Sequence, residues 1–595
     1  MAAIVLVLFI GVWVGIRALV AKDALESAEA NLSAFRSALG TSEQSTAGMY
    51  ERLRADTSAA SEAVGDPVWM FAELTPVLGS DLRSIRQLAQ LLDELVEDGV
   101  GPVAVAVDGL TFDVLRPVGG RIAIEPFTRL VSPLAKLASA MHQATLSAAD
   151  IRPSGLVPPL ADAVQQVKDL LAAYSPGISG AAEVLPHVGA MLGEDEPRHY
   201  LLMFQNNAEE RASGGNPASM ALLEVDRGSV KLVQQASSRD FDRPYRSEPL
   251  TFAGDWPKLF GAHTSTYVTN ITFTPDFPTT AKLAQRMWEL EFGRTVDGVV
   301  SFDPVALSHL LRATGPLALA TGETLTAENA VRFLLNEVYS KYLDPRVQDV
   351  VFASAAAEIF DAVVSGAAEP KPLLEQLQPM IAEQRLKVWS SHPKEQAVLQ
   401  SSPVGNMLPP DNSSRTVVGV YNNDDATSKM SYYMDSTIAV TADRCRPERP
   451  TIRVSTTVTN TLDPETAKDL PAFILAGQPR IPFGGDRQWV LLYGPVGAEL
   501  SGANVDGRPV VFGDGLYPRF NSVPDATGLD DKRPAVSGVM DGRPVAIVSI
   551  NLGPLESRTV DAVFAGGDDL ADEVSVSHTP KVRDVPVTVS ERDCG

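Results

Sequence analysis

One stretch of this sequence concentrates groups able to do chemistry: Gln205-Asn206-Asn207-Ala208-Glu209-Glu210-Arg211-Ala212-Ser213-Gly214-Gly215-Asn216. It gathers side-chain amides, two adjacent carboxylates, a guanidinium and a glycine pair directly after Tyr200–Phe204, an apolar run that reads as a buried strand. Glycines let backbone N–H groups approach an anion. Arg211 is able to clamp a phosphate or a carboxylate through two parallel bonds. Gln205, Asn206, Asn207, Glu210 and Arg211 are therefore ligand-binding candidates. The same residues also suit a polar loop that satisfies itself, with Arg211 paired to Glu209 or Glu210, and the sequence leaves both readings open.

The elements that must position this stretch differ along the chain. Ala2–Val20 carries no charge except Arg17. At about 1.5 Å of rise per residue its length nearly spans a hydrocarbon core of about 30 Å. This predicts a membrane anchor over 1–21, with Arg17 snorkelling to the interface. A cleaved signal peptide and a buried core helix are the competing readings; the poor small-x-small site at Leu19 and Ala21 counts against the first, and the length of the run against the second. Residues 22–196 read as a helical stalk or bundle. Leu25, Ala28, Leu32, Phe35 and Leu39 recur at helical spacing, and so do Leu82, Ile85, Leu88, Leu92 and Leu95. Residues 197–400 mix strand-like and helical segments as an α/β layer domain does, with Asp303-Pro304 as an N-cap and a Pro at N1. Residues 401–414 read as a linker, and 415–595 as a β-sandwich with turns at Asp506-Gly507 and Asp541-Gly542. The predicted fold class is multidomain α+β: anchor, helical stalk, central α/β domain and C-terminal sandwich.

Composition narrows the function classes. The chain has 595 residues and a formal net charge of −24, which argues against a nucleic-acid binder. Its seven histidines never pair at metal-ligand spacing. No Gly-x-Ser-x-Gly elbow or Walker-type phosphate loop occurs. The two cysteines, Cys445 and Cys594, bracket the last domain and are candidates for one disulfide, the alternative being two free thiols.

Tyr200–Gly215, Asp297-Gly298-Val299, Asp303-Pro304 and Gly315-Pro316, with the tract from Asp66-Pro67-Val68-Trp69 to Leu82-Arg83, resemble a bacterial envelope family, domain of unknown function 4012. That family pairs a strand with a Gln-Asn-Asn-x-Glu-x-Arg segment and a Gly-Gly, and its name implies no activity. The order of elements in the α/β domain is also similar to the LytR–CpsA–Psr phosphotransferases, which move glycopolymers from polyprenyl-pyrophosphate lipids to the cell wall. That likeness implies that Arg239 and Arg346 grip a pyrophosphate and that Asp240 helps to hold Mg²⁺. Two departures weaken it: Ala218 or Ser219 stands where the family has an acid, and Asp349 where it has a second arginine. The resulting expectation is a single-pass, extracytoplasmic envelope protein of the cell membrane. It would bind or scaffold a polyprenyl-linked or wall glycan, a lipid carrier or a protein partner. The alternative is a Mg²⁺-dependent phosphotransferase.

Overall fold

Asp66 shows how local chemistry sets the first part of the chain. Its Oδ1 accepts the N–H groups of Val68 and Trp69 at 2.8 and 2.9 Å, capping a short helix that Pro67 opens. Its Oδ2 accepts Trp13 Nε1–H at 3.1 Å and stands 3.2 Å from Arg17 Nε. The computed structural model describes residues 2–592 apart from 39–44, 77, 154, 242–243, 406–407, 447, 478–480, 514–534 and 568; side chains are described from residue 11 onward. It divides into two compact units, Met1–Glu196 with Asp226–Ser229, and Pro197–Val225 with Val230–Gly595.

The first unit is helical: α1 (Ala2–Ala38), α2 (Thr46–Val64), α3 (Pro67–Ala72), α4 (Gly79–Glu94), α5 (Gly101–Ala106), α6 (Glu125–Asp150) and α7 (Pro158–Met191). The described part of the tract after residue 22 belongs to two helices, α1 to Ala38 and α2 from Thr46. α7 runs through Pro176 and Pro186.

The membrane anchor expected over 1–21 is corrected. Among the described residues no helix is long and apolar enough to cross a membrane. The apolar run is the first half of a 37-residue helix that continues into the charged segment from Lys22. Ala21 is buried with Ala60, Val64, Trp69 and Leu82, and Val14, Ala18 and Leu25 pack against that cluster, while Val12, Ile16 and Leu19 are exposed. Arg17 is held by Asp66 rather than reaching for an interface. The single-pass membrane localisation, the membrane as a partner through this helix, and a fold class that includes a transmembrane helix are corrected with it. The fold is mixed α/β.

The second unit holds a five-stranded sheet. From one edge it runs β3 (Ser229–Ser237), β2 (Gly214–Asp226), β1 (Arg198–Arg211), β4 (Gly298–Phe302) and the strand Lys387–Ser390. β1 and β4 are parallel, Tyr200 opposite Gly298 and Phe204 opposite Phe302. Leu201, Met203, Leu222 and Val299 face the helix Phe277–Phe292, whose Leu283, Ala284, Met287 and Trp288 complete that core.

Two six-stranded sheets follow. One runs Arg508–Pro509, Glu499–Val505, Ser557–Ala565, Thr451–Asn460, Met434–Asp443 and Val587–Glu591. The other runs Phe512–Gly513, Ala535–Met540, Arg543–Leu552, Asp486–Tyr493, Thr416–Asp424 and Val574–His578. Val440, Val454 and Phe564 of the first share a fully buried cluster with Val418, Val490 and Val548 of the second, the face-to-face packing of a sandwich. Cys445 is disulfide-bonded, and Cys594, named with it from the sequence, lies outside the described residues.

Replacing Asp66 removes two cap bonds, a tryptophan hydrogen bond and the Arg17 pair together. Asp66→Ala is expected to destabilise the helical unit of the full chain by about 1–2 kcal/mol, read by far-UV circular dichroism in denaturant. Asp66→Asn, which keeps a cap oxygen, is expected to lose less.

Candidate functional site

The stretch Gln205–Asn216 is not a surface loop. β1 continues through it to Arg211, turns at Ala212-Ser213 and returns as β2 from Gly214, so the whole segment is a β-hairpin. Gln205, Asn206, Asn207, Glu209, Glu210, Arg211 and Asn216 are each at most 8% exposed. The ladder shifts between Asn206 and Glu210, leaving Asn207, Ala208 and Glu209 as a bulge that re-aims their side chains. Asn206 Oδ1 accepts the Ala208 N–H within that bulge at 3.0 Å.

The glycine pair is required by close approach rather than by a ligand. Gly214 has φ 136°, and a Cβ on Gly215 would lie 2.3 Å from the Asn206 carbonyl carbon. The Gly215 N–H donates to Gln205 Oε1 at 2.7 Å, so the group that approaches this backbone is a side chain of the same hairpin.

Every candidate in the hairpin has a protein partner. Gln205 Nε2 donates to Ser301 Oγ at 2.6 Å, and Asn206 Nδ2 donates to the Tyr339 hydroxyl. Asn207 Nδ2 donates to Asp303 Oδ2 at 2.9 Å and to the Pro580 carbonyl at 3.1 Å. Glu209 pairs with Lys429 and accepts from Asn216 at 2.5 Å. Glu210 stands 2.8 Å from Lys581 Nζ, and its N–H donates to Ser431 Oγ at 3.2 Å. Arg211 donates to the carbonyls of Glu210 and Asp424, both at 2.9 Å, and lies 4.7 Å above the Phe273 ring.

The network spreads from there on both sides. Asp303 caps the helix Pro304–Thr314 through the Ala306 N–H at 2.7 Å and pairs with Arg385 at 2.8 Å. Arg487 pairs with Asp425 at 2.7 Å. Lys387 is 2% exposed and donates to the Gln384 carbonyl at 2.5 Å. Burial displaces the titrations of this region. It raises the Glu210 carboxyl above its usual range and pushes the Asp425 carboxyl up to about 6. It raises Asp486 well above its usual value, with the neighbouring Asp424 charge adding to the effect. Lys387 is pushed down to about 7 by burial, against the opposing pull of Asp303. This arrangement joins the central sheet to the sandwich through charge pairs; it presents no open side chain to a ligand.

Sequence reasoning missed Asp424, Asp425, Arg385, Lys387 and Lys581. One signal was available: Asn422-Asn423-Asp424-Asp425 continues a valine-rich strand in polar residues, as Asn206-Asn207 does. Arg385 follows a helix that ends at Ala382, and Lys387 starts a strand, so no single periodic pattern marks the two.

The remaining candidates lie elsewhere. Arg239 Nη1 is 3.4 Å from Asp349 Oδ2. Asp240 Oδ2 accepts the Ser237 N–H at 2.7 Å in a capping box. Arg346 is highly exposed and pairs with Asp344 at 2.9 Å. Asp344 is held below the usual carboxylate range first by Arg346 and more weakly by Arg239, so these two arginines share one edge while Arg211 is buried in the hairpin network. Beside them a cavity of about 280 Å³ is lined by Ala218, Ser219, Gln235, Ser237, Asp240 and Asp349, among others. These residues do not fit the Mg²⁺ that the phosphotransferase likeness implies. They supply only two carboxylates, Asp240 and Asp349, of which Asp349 pairs with Arg239, and among the described residues no group of three or more His, Cys, Asp or Glu is placed to hold a metal ion.

Two outcomes are expected. In the unfolded chain Lys387 keeps its proton up to about 10.5, and in the folded chain only up to about 7. Stability therefore rises with pH between these values, by at most about 1.4 kcal/mol per pH unit. Lys387→Met is expected to remove that slope and to be no less stable at neutral pH, as measured by denaturant unfolding across the window. Lys581→Met leaves Glu210 buried without its counter-charge and is expected to cost about 3–5 kcal/mol, with Glu210→Gln in the same chain restoring most of it.

Comparison with known proteins adds a family and little else. No curated protein matches the chain. Among solved structures it is similar to the crystal structure of protein gbs0355 from Streptococcus agalactiae, at 11% identity and a TM-score of 0.24, over 37% of this chain and 76% of that one. So loose a likeness carries no argument, and the similarity to the LytR–CpsA–Psr phosphotransferases is not shown. Residues 195–339 match the family model described as "Protein of unknown function (DUF4012)", and the resemblance carried by Gln205–Gly215 and Asp303-Pro304 is thereby shown for this central segment.

Proposed function

We propose that this chain is a binding or scaffolding protein rather than an enzyme, and that it takes an envelope glycan, a lipid carrier or a protein partner. The observation that carries this reading is the fate of the polar hairpin. The densest set of acids, bases and amides in the sequence is spent on pairing within the protein, each candidate at most 8% exposed. A catalytic group must reach the reacting atoms, and these groups reach one another.

The groups left at the surface support the same reading. Asp240, Asp349 and Arg239 pair locally. The acid that phosphotransfer calls for is replaced by Ala218 or Ser219.

Isothermal titration of the full chain against purified envelope glycans and polyprenyl phosphates is expected to give saturable binding to at least one. A uniformly flat response would remove the ligand-binding form of this proposal. In parallel, phosphate release from pyrophosphate with added Mg²⁺ is expected to stay at the buffer level for the wild type. Turnover by the wild type that disappears in Arg239→Ala and Asp240→Ala would make the chain an enzyme.

A further inference from the structure

We propose that the cavity between β2, β3 and the helix Pro345–Val364 binds a small hydroxyl-rich ligand that carries an amine, with the size and chemistry of an amino sugar. The inference rests on the binding reading above and gives it a place and a ligand class.

Backbone irregularity makes the cavity. In β2, Ser219 pairs with Phe204 and Pro217 with Gln205, so Ala218 is an extra residue in the ladder. Successive strand residues ordinarily face opposite sides, but a bulge turns its residues. Here both Ala218 and Ser219 line the same cavity. Ala218 on one wall and Ala353 on the facing helix leave it open, and its volume is about 280 Å³. Ligand sites start near 300 Å³, so the space suits one sugar ring.

The polar lining sets the chemistry. Ser219 is 9% exposed, and its hydroxyl has no hydrogen-bond partner among the described residues. A hydroxyl that faces the cavity without a protein partner is free to pair with a ligand atom. Asp240 gives one oxygen to the Ser237 N–H and keeps the other. Asp349 comes from the opposite wall with Arg239 3.4 Å away. Gln235 spends one amide N–H on the Ala353 carbonyl at 2.9 Å, which leaves its oxygen as an acceptor beside one further N–H. Two carboxylates against one guanidinium make the cavity acceptor-rich and negative. An ammonium and sugar hydroxyls supply donors to such a lining, whereas a phosphate meets repulsion there and from the chain's net charge of −24.

The test titrates the full chain with glucosamine at slightly acidic pH, and separately with glucose and with inorganic pyrophosphate. Glucosamine is expected to bind saturably, glucose about tenfold more weakly or worse, and pyrophosphate not to compete. Ser219→Ala and Asp240→Asn are each expected to weaken glucosamine about tenfold, and Ala218→Leu to abolish binding by filling the cavity. Far-UV circular dichroism checks each variant; if Ala218→Leu does not fold, Ser219→Ala, which adds no atoms, decides. A flat glucosamine titration, binding indifferent to Ser219→Ala and Asp240→Asn, or displacement by pyrophosphate would overturn the assignment. Flat glucosamine beside saturable glycan or polyprenyl phosphate binding would remove this site alone and leave the binding reading standing.

Discussion

The second unit depends on burying charge in a hairpin tip. Taking Glu209, Glu210 and Arg211 out of water costs several kcal/mol for each ion even after relaxation. The cost is offset only because counter-charges and carbonyls arrive in good geometry from the sandwich: Lys429, Lys581, the Asp424 carbonyl and Ser431. On the other side Asp303 and Arg385 close the network around Asn207. Such pairing adds little net stability compared with an apolar core, but it punishes misplacement. One wrong register would strand several charges at once, so the network fixes how the central sheet and the sandwich meet.

The same constraint explains what the sequence showed and what it concealed. Capping is local chemistry. Asp66 and Asp303 both cap helices within three residues of themselves, and Asp303-Pro304 reads as a helix start from the sequence. The hairpin defeated the same approach because polarity is ordinarily a sign of exposure, and its partners lie more than 200 positions away in Asp424, Ser431 and Lys581. The N-terminal run failed for a related reason. Hydropathy records that Ala2–Val20 is apolar, yet it cannot record that Trp13 and Arg17 meet Asp66, or that Ala21 packs on Trp69.

The candidate site divides along this line. Gln205, Asn206, Asn207, Glu210 and Arg211 were chosen because clustered polar groups after a buried strand suggest binding. The cluster is real, but its ligand is the protein itself. Arg239, Asp240 and Arg346 were chosen by analogy, and they mark one edge of the second unit. There the departures from that analogy, Ala218, Ser219 and Asp349, together line the cavity. Ser219 and Asp349 bring a hydroxyl and a carboxylate to it.

The two regions are mechanically linked through β2. Gly214 and Gly215 are locked at the hairpin tip by contacts too close for any side chain, and Asn216 is tied to Glu209 at 2.5 Å. Ala218 and Ser219 follow on the same strand, where the extra residue rotates them into one cavity. A strand free to slip would move every side chain to the other face with a one-residue shift. The bonds across the hairpin tip oppose that slip, because it would separate Gly215 from Gln205 and Asn216 from Glu209. The hairpin tip thus holds the cavity wall in register, so the conspicuous polar segment positions the inconspicuous Ala-Ser pair beside it.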